Sequence, residues 1–425
     1  MNTLARGPRT ILLRTAIILT LLSQTDVLRA ANQPVVGSTP KVQVTERALR
    51  LHRGAPVFDG HNDFPWELRQ QGASSFDKFD ISKPATNFQT DIPRLRQGGV
   101  GAQFFVAYVP SHTMKTGGAA RQTLEQIDLI HRMVRRYPET FAMALTADDV
   151  VRIRKSGRIA CLIGIEGGHS LENSLATLRM YHLLGVRYLT LTHADNVGWA
   201  DAATDAPQCN GLTDFGREVV TEMNRLGMLV DISHVSAATM HAALDVSKAP
   251  IIASHSSAFA VAAHPRNVPD DVLKRIKTNG GVVMVNFYSG FVVAESAKIM
   301  ANMFDVSREM QAKFPVVADY DHAMKQWHNE HPMPSGTVQD LVNHIDHIVK
   351  IAGIDHVGLG SDYDGVDQVP AQLEDVSSYP VITQELLNRG YSEKDIKKVL
   401  GENILRVLGE AEKVARSLKQ RRVGQ

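Results

Sequence analysis

The sequence is poor in cysteine and almost without net charge. Its 425 residues contain two cysteines, Cys161 in an apolar run and Cys209 in a polar loop, so we expect two free thiols rather than a disulfide. A fold without disulfides must be held together by its hydrophobic core. Lysine and arginine total 46 against 45 acidic residues, a balance that excludes the basic surface typical of proteins that bind nucleic acid or anionic membranes.

The N-terminus carries arginines around the short apolar stretch "TAIILTLLS". This stretch is too short to span a bilayer comfortably, and the small residue Ala30 follows it as a cleavage site would require. We therefore predict a signal peptide over residues 1–30 and export to the periplasm or the medium. An uncleaved signal that tethers the chain to a membrane is the alternative.

Eight short apolar runs alternate with amphipathic segments along the rest of the chain. Runs that are apolar throughout are typical of parallel strands covered on both faces, and "TDFGREVVTEMNRLG" has the cap and the glycine stop of a helix. Eight such units predict an α/β fold, a closed (β/α)8 barrel of the TIM type; an open doubly wound sheet is the alternative. The predicted strands are "PVFDGHND", "GAQFFVAYV", "IACLIGIEGG", "VRYLTLTH", "MLVDISHVS", "PIIASHSS", "GVVMVNFY" and "HVGLGSDYDG".

One segment interrupts the alternation after the seventh strand. Residues 291–335 are rich in methionine and charge, which predicts a helical insertion rather than another strand and helix. An insertion at that end of a barrel could cover its mouth; a stabilising cap or a dimer surface is the alternative. The predicted barrel domain then covers residues 46–415, between a polar leader at 31–45 and a charged tail at 416–425.

Polar side chains that bind metals or transfer protons follow six of the eight predicted strands at the same end. Taken singly, each has an ordinary explanation as turn chemistry or as a satisfied polar residue. Together they indicate a site, because the C-terminal strand ends of a barrel converge on one mouth, where barrel active sites lie. The residues are His61 and Asp63 after strand one, then Glu166, His193, His234 and His255 after strands three to six, and Asp362 after strand eight.

This mixture of imidazoles and carboxylates suits Zn²⁺ or a similar divalent ion and is too poor in oxygen for Ca²⁺. A single catalytic zinc needs three protein ligands, and five strong candidates exceed that number, so we predict two zinc ions. With Glu166 as the bridge, His61 and Asp63 would hold one ion, and His234 and His255 the other. Two bridged ions would share a water whose pKa falls towards about 7, which supplies hydroxide at neutral pH.

Several stretches of the sequence strongly resemble the membrane dipeptidase family, also called renal dipeptidases, within the metal-dependent hydrolase superfamily of barrels. They occur in the family's order and cover most of residues 55–410. Motifs this numerous are specific for the family and much less specific for the substrate. The matching stretches are "DGHND" with "PW" following, "GIEGGHSLE", "GVRYLTLTHADN", "GLTDFGREVV", "VDISHVS", "SHSSAFAV", "RNVPDD" and "HVGLGSDYDGV".

The resemblance implies the same metal ligands. His61 and Asp63 resemble the ligands of one zinc, His234 and His255 those of the second, and Glu166 the bridging ligand. The family's "HND" and bridging glutamate also argue against the deaminase and phosphotriesterase branches of the superfamily, which begin with two histidines around one residue and bridge with a modified lysine.

Further residues are assigned by the resemblance to substrate binding and catalysis. His193 resembles a histidine that polarises the scissile carbonyl and stabilises its oxyanion, and Arg266 an arginine that binds the C-terminal carboxylate of the substrate. Asp362 resembles the acid beside the bridging water. Strand parity puts Asp364 on the same face as Asp362, so the choice between them rests on the resemblance.

The implied activity is zinc-dependent hydrolysis of dipeptides. A hydroxide that bridges the two ions attacks the peptide carbonyl, and Asp362 passes the proton to the leaving amine. Because Arg266 fixes a carboxylate one residue beyond the bond, short substrates are selected, and the resemblance implies that a C-terminal D-residue is accepted. Trp66 and Tyr288 are expected to line the pocket, although aromatic residues at strand ends more often belong to a core or a rim.

Two other functions stay open at the level of sequence. A barrel hydrolase of another small amide, such as an N-acyl amino acid, would also need an arginine for a carboxylate, and a non-catalytic binding protein could share the fold. Mammalian members carry an apolar tail that is exchanged for a lipid anchor, whereas this chain ends in charge, so we expect an exported relative without that anchor. Family members are commonly dimers, and a homodimer is a further expectation.

Overall fold

The structure is a computed structural model that describes residues 40–314 and 317–423. The predicted signal peptide at 1–30 and residues 31–39 of the predicted leader lie outside the described residues. The described part of the chain forms one sheet of nine strands, in which all neighbours are parallel. The strands are β1 (Val57–Asn62), β2 (Val100–Tyr108), β3 (Phe141–Met143), β4 (Ile159–Glu166), β5 (Val186–Thr190), β6 (Leu229–Asp231), β7 (Ile252–Ala253), β8 (Val282–Val285) and β9 (Val357–Leu359).

Eight of these strands close into a ring, which confirms the predicted barrel. Strand β1 is hydrogen-bonded to both β2 and β9, and β2 pairs with β4, so the sheet has no free edge at these strands. Closure turns the C-terminal ends of all eight strands towards one mouth.

Strand β3 lies outside this ring, and the sequence pattern did not predict it. Its three residues pair with the first part of β4, at Ile159–Cys161, while β5 pairs with the later part from Ile163 onwards. A run of three residues is too short to show a strand pattern in the sequence. The segment is extended because it pairs with β4.

Helices cover the outside of the ring. Several begin at the side-chain caps that their sequences predict; Thr213, for example, accepts a hydrogen bond from the backbone of Gly216 at the start of its helix. The helices are α1 (Glu46–Gly54), α2 (Phe64–Gly72), α3 (Ile92–Gln97), α4 (Thr113–Thr116), α5 (Ala119–Arg136), α6 (Ala147–Lys155), α7 (Leu175–Leu183), α8 (Asp214–Leu226), α9 (Ala237–Val246), α10 (Asp270–Asn279), α11 (Ser289–Val292), α12 (Ala294–Lys313), α13 (Val317–Glu330), α14 (Val338–Ile351), α15 (Tyr379–Asn388), α16 (Glu393–Lys397) and α17 (Asn403–Val423). A π-helical stretch, Lys398–Glu402, joins α16 to α17.

The core has an inner and an outer layer because side chains alternate along each strand. In β2, Phe104 and Val106 belong to the inner cluster, whereas Phe105 and Ala107 pack against the helices. Helix α17 supplies Leu408 and its apolar neighbours to the inner cluster. The barrel is therefore filled with side chains below the mouth and is not a channel.

The structure describes most of two segments of the predicted domain layout, the insertion and the charged tail. Residues 291–335 contain α12 and α13 and no strand among the residues described there. Residues 416–423, the described part of the predicted charged tail, continue α17. In the described part of the chain, no helix combines the length and the apolar character that crossing a membrane requires.

The barrel strands approach each other closely at Gly360. A Cβ atom there would lie 1.9 Å from the carbonyl oxygen of Ser254. We expect Gly360→Ala to lower the free energy of unfolding by about 1–3 kcal/mol, because the obstacle is backbone within the barrel and cannot rotate aside. Urea denaturation measures the change.

Gly54→Ala is the matched control for that variant. A Cβ atom at Gly54 meets no atom within 4 Å, so this substitution should cause no loss of stability. Equal stability of the two variants would show that the crowding at Gly360 is not real.

Candidate metal centre

Strand β1 and the helix after it bring two predicted ligands together. His61 lies within β1, and Asp63 follows the strand directly as the N-cap residue of α2. His61 Nε2 and Asp63 Oδ2 are 3.1 Å apart. The two side chains thus reach the same place, as the spacing predicted, although Asp63 is not part of the strand.

Glu166, the last residue of β4, occupies the middle of the cluster. Its Oε1 atom is 2.9 Å from His234 Nε2, 3.3 Å from His255 Nε2 and 3.6 Å from His61 Nε2. Its Oε2 atom is 3.9 Å from His193 Nε2. One carboxylate therefore faces four imidazoles, which β1 and the loops after β5, β6 and β7 deliver.

His234 and Asp362 reach this cluster through left-handed backbone. Their φ angles are 66° and 65°, a conformation that residues other than glycine rarely adopt. His234 Nε2 lies 2.9 Å from His255 Nε2, and Asp362 Oδ1 lies 3.9 Å from His61 Nε2. Non-glycine residues in this conformation cluster at functional sites, where the surrounding structure holds them.

Asp364 does not share the position of Asp362, and the parity argument was wrong. Both residues follow the end of β9 at Leu359, and both have positive φ. Side chains alternate between faces only along extended backbone, so parity does not apply here. The Oδ1 atom of Asp364 accepts a hydrogen bond of 2.6 Å from the backbone nitrogen of Gln89 instead.

The electrostatics of the cluster are dominated by buried negative charge. Burial, together with Asp63 and Asp362, raises the pKa of Glu166. Burial alone lowers the pKa of His61, but attraction to Asp63, Glu166 and Asp362 outweighs it and raises that pKa to about 10. Three carboxylates around one imidazole therefore call for additional positive charge.

The residues present fit a pair of divalent cations. Within the part of the chain that the structure describes, His61 Nε2 and Asp63 Oδ1 are buried and have no hydrogen-bond partner. Burial lowers the pKa of His234 and of His255 well below the usual range, so both imidazoles are neutral and keep a lone pair for a metal. Tetrahedral ligands of one zinc ion stand about 3.3 Å apart, and Glu166 Oε1 lies at a similar distance from His234 Nε2, 2.9 Å, and from His255 Nε2, 3.3 Å.

Arg266 is buried beside the cluster and has unused donors. Its side chain is 1% exposed, and its terminal nitrogens lie 3.2 Å from Ser256 Oγ and 3.3 Å from the His255 carbonyl. Among the described residues, none accepts a hydrogen bond from its Nε. Burial lowers its pKa to about 10, so the guanidinium remains charged at neutral pH and can bind a carboxylate.

His193 is a neutral imidazole at the rim of the cluster. Burial lowers its pKa to about 3, and the positive potential of His169 and Arg266 acts in the same direction. The ring lies 4.9 Å from that of Tyr108. A neutral imidazole offers one N–H donor. Because it carries no charge, it does not compete with a metal cation for the carboxylates.

The two aromatic residues proposed for the pocket differ in their contacts. The ring of Trp66 packs edge-on against that of Tyr108 at 5.0 Å. The hydroxyl of Tyr288 donates to Met300 Sδ of α12 at 3.3 Å. Tyr288 therefore connects the mouth to the helices of residues 291–335, and its hydroxyl is already engaged.

Helix α12 reaches the mouth at a second point. Arg308 Nη1 lies 3.4 Å from the carbonyl oxygen of Thr204, in the loop after β5. The neighbouring Ala203 donates its backbone N–H to the carbonyl of His234 at 2.7 Å. These contacts place α12 over the edge of the mouth beside His234.

Two residues at the mouth were missed by the sequence analysis. Asn286 donates from Nδ2 to Asp362 Oδ2 at 2.8 Å, and Tyr108 packs against His193. Asn286 stands just after β8, where only Tyr288 had been assigned, and Tyr108 stands at the end of β2, to which no site residue had been assigned. The search for functional side chains at the C-terminal ends of the strands would have found both residues if it had included amide and phenol side chains.

Comparisons with known proteins agree with this geometry. Residues 45–422 match the family model for membrane dipeptidases (Peptidase family M19). Dipeptidase 3 of Macaca fascicularis is 40% identical over 383 residues, which cover 89% of this chain and 70% of that protein.

Solved structures with the same architecture also match. The probable dipeptidase PvdM of Pseudomonas aeruginosa has a TM-score of 0.75 and 26% identity, over 87% of this chain and 98% of that one. A metallo peptidase of Rhodobacter sphaeroides, liganded with a phosphinate mimic of the dipeptide L-Ala-D-Ala, has a TM-score of 0.68 and 25% identity, over 84% of this chain and 99% of that one.

The position of Glu166 predicts the effect of replacing it. We expect Glu166→Gln to lower the metal content of the protein, because the neutral amide removes the charge that faces the surrounding imidazoles. Elemental analysis of the purified protein measures the change. Glu222→Gln, at an ion pair with Arg225 on α8, is the matched control and should keep the metal content of the wild type. A wild-type metal content in Glu166→Gln would show that Glu166 is not a metal ligand.

Proposed function

The chain belongs to the membrane dipeptidase family of metallopeptidases, and on that premise we propose that it is a di-zinc dipeptidase whose substrates include dipeptides with a C-terminal D-residue. The observation that carries this proposal is the convergence of His61, His234 and His255 on one oxygen of Glu166. A buried carboxylate at the centre of three imidazoles has the donor set of a bridging metal ligand.

Five residues would hold the two cations. His61 and Asp63 would bind one, His234 and His255 the other, and Glu166 would bind both. When bound, the two cations lower the pKa of a shared water and polarise a carbonyl oxygen.

Arg266 supports recognition of a short substrate. Its buried guanidinium has unused donors, and its charge acts on Asp362 and Glu166, so it lies next to the reacting groups. By the resemblance to the family, a substrate carboxylate bound there would lie one residue beyond the scissile bond. The phosphinate mimic of L-Ala-D-Ala bound to the Rhodobacter sphaeroides relative supports the inclusion of D-residues.

His193 and Asp362 would carry out the proton and charge transfers. The neutral imidazole of His193 donates a hydrogen bond to the oxyanion that forms when water attacks the peptide carbonyl. Asp362 accepts the proton from that water and passes it to the nitrogen of the leaving amine. Asn286 holds the Oδ2 atom of Asp362 at 2.8 Å and leaves Oδ1 directed towards His61 and the cluster.

We also propose that residues 1–30 are an export signal, which would place the enzyme outside the cytoplasm, and that the enzyme is a homodimer. The arginines and the apolar stretch of residues 1–30 support the first proposal. The second rests on the resemblance to a family whose members are commonly dimers.

The substrate class is tested by comparing a dipeptide with its N-acetylated form. We expect the zinc-loaded enzyme to hydrolyse free dipeptides, including one with a C-terminal D-alanine, with a higher kcat/KM than the acetylated compounds. An N-acyl amino acid hydrolase, which is the alternative on this fold, would prefer the acetylated form. Such a preference would overturn the dipeptidase proposal.

The role of Arg266 is tested by Arg266→Lys. We expect KM for a dipeptide to rise about 10- to 100-fold with the metal content unchanged, because lysine keeps the charge but loses the two-pronged geometry that matches a carboxylate. Steady-state kinetics and elemental analysis measure both quantities. Arg275→Lys on α10, which removes a comparable fork from an ion pair with Asp245, is the control and should leave KM unchanged. An unchanged KM in Arg266→Lys would move carboxylate recognition elsewhere.

A further inference from the structure

Asp59 of β1 is a fully buried carboxylate just before the candidate metal ligands of that strand. Its neighbour Phe58 belongs to the inner cluster, so side-chain alternation directs Asp59 to the outside of the ring. There the hydroxyl of Tyr379, at the start of α15, donates to Asp59 Oδ2 at 2.7 Å, and Gln103 Nε2 of β2 donates to the same oxygen at 3.1 Å. The carboxylate therefore lies between the ring of strands and a helix that covers it.

The same carboxylate joins the ends of β1 and β9. Asp59 Oδ1 accepts from the backbone N–H of Ser361 at 2.8 Å, and Oδ2 accepts from the Ser361 hydroxyl at 2.6 Å. The Ser361 hydroxyl also lies 3.2 Å from the carbonyl oxygen of His61. That carbonyl accepts from the backbone N–H of Asp362 at 3.2 Å. Through Ser361, Asp59 is thus linked to the backbone of both His61 and Asp362.

His61 and Asp362 both depend on irregular backbone to face the cluster. Along a regular strand, His61 would point outwards with Asp59, because the two are two residues apart. The pairing of β1 with β2 shifts between Asp59 and Asn62, where three steps along β1 match two along β2, and this shift turns His61 towards the mouth. Asp362 has left-handed backbone, with a φ of 65°. Such backbone persists only where surrounding contacts hold it, and the hydrogen bonds of Asp59 lie directly beside both irregularities.

The groups that contact Asp59 all donate to it. The backbone N–H of Ser361 and the amide Nε2 of Gln103 can only donate, and the two hydroxyls complete the set. Burial raises the pKa of Asp59, and the hydrogen bonds that it accepts oppose this rise. Removal of the carboxylate would leave these buried donors without their acceptor, and the backbone after β9 would lose its fixed distance from β1.

We propose that Asp59 is a positioning residue for the metal centre, which fixes His61 and Asp362 relative to each other from outside the ring of strands. His61 is a candidate metal ligand and Asp362 the proposed proton acceptor. Asp59 therefore acts on metal affinity through the first residue and on turnover through the second. This inference rests on the proposed di-metal dipeptidase function.

Asp59→Ala tests both effects. Loss of a residue behind a metal ligand typically lowers metal affinity or activity about 10- to 100-fold, and we expect a fall of that size in the affinity for zinc. Competition with a chelator measures it without reference to activity. At saturating zinc, with full metal content verified by elemental analysis, we expect kcat for a dipeptide to stay about 10- to 100-fold below the wild type. KM should be unchanged, because the side chain of Arg266 is held by Ser256 and His255 instead.

Ser361→Ala is a milder variant at the same contact. It removes the hydroxyl that joins Asp59 to the carbonyl of His61 and keeps the backbone N–H that Asp59 accepts. We expect the same pattern to a smaller extent, namely weaker zinc binding and a lower kcat with an unchanged KM. This variant decides the question where Asp59→Ala does not fold.

Asp91→Ala is the matched control. Asp91 is also a fully buried carboxylate, at the start of α3, and its oxygens accept from the backbone of Arg94 and Ala85 at 2.8 Å and 3.0 Å and from Arg94 Nε at 2.7 Å. Its loss should lower stability in urea denaturation as the loss of Asp59 does. The zinc affinity and kcat should stay at their wild-type values, because these partners do not carry a residue of the cluster.

The outcomes separate this inference from the proposed function. Wild-type zinc affinity and kcat in Asp59→Ala and Ser361→Ala, in a chain that binds two ions, would overturn the positioning role and leave the di-metal proposal intact. A raised KM with an unchanged kcat would overturn it as well, because the effect would then lie in substrate binding. Equal losses in Asp91→Ala would show that a general loss of stability is responsible. A wild-type protein that binds no divalent ion would overturn the proposed function and this inference with it.

Discussion

Buried carboxylates around a group of imidazoles are the interaction on which the rest of this structure depends. Asp63, Glu166 and Asp362 lie within 3.1–3.9 Å of His61 Nε2, in a space where each is less than a tenth exposed. Taking several like charges out of water costs far more than hydrogen bonding can return unless cations compensate them. The cluster is therefore organised for metal ions, and the surrounding fold must hold the ligands against their mutual repulsion.

The barrel holds the ligands in place because its ring of strands is closed and its interior is filled with side chains. Because the ring has no free edge, ligands that are distant in the sequence hold fixed positions around one mouth. The inner apolar cluster, completed by α17, keeps the strand ends from collapsing inwards. Left-handed backbone at His234 and Asp362 costs about 1–3 kcal/mol at each residue. The barrel can support this cost because packing elsewhere determines the course of both loops.

Further buried side chains contact the ligands from the side away from the mouth and hold them in place. Asn286 orients Asp362, while Tyr188 and Ser254 orient the two imidazoles, so the polar interior of the barrel forms successive layers around the metal centre. Arg266 and His193 stand at the edge of these layers, and in the proposed function their donors would bind the substrate. The proposed function thus places substrate recognition and metal binding at the same strand ends. A substrate carboxylate would also offset the charge of Arg266, which the described residues leave with an unpaired donor.

The sequence by itself determined the barrel, the strand ends that carry ligands and the identity of all five proposed ligands, because strand periodicity and residue chemistry are local properties. Only the tertiary structure decided that β3 is a strand and that Asp364, which strand parity could not separate from Asp362, binds the backbone of Gln89 instead. The same holds for Asn286 beside Asp362 and for the contact of Tyr188 with His61. These features depend on which side chains meet across the barrel, and left-handed residues or contacts between strands distant in the chain leave no periodic signal.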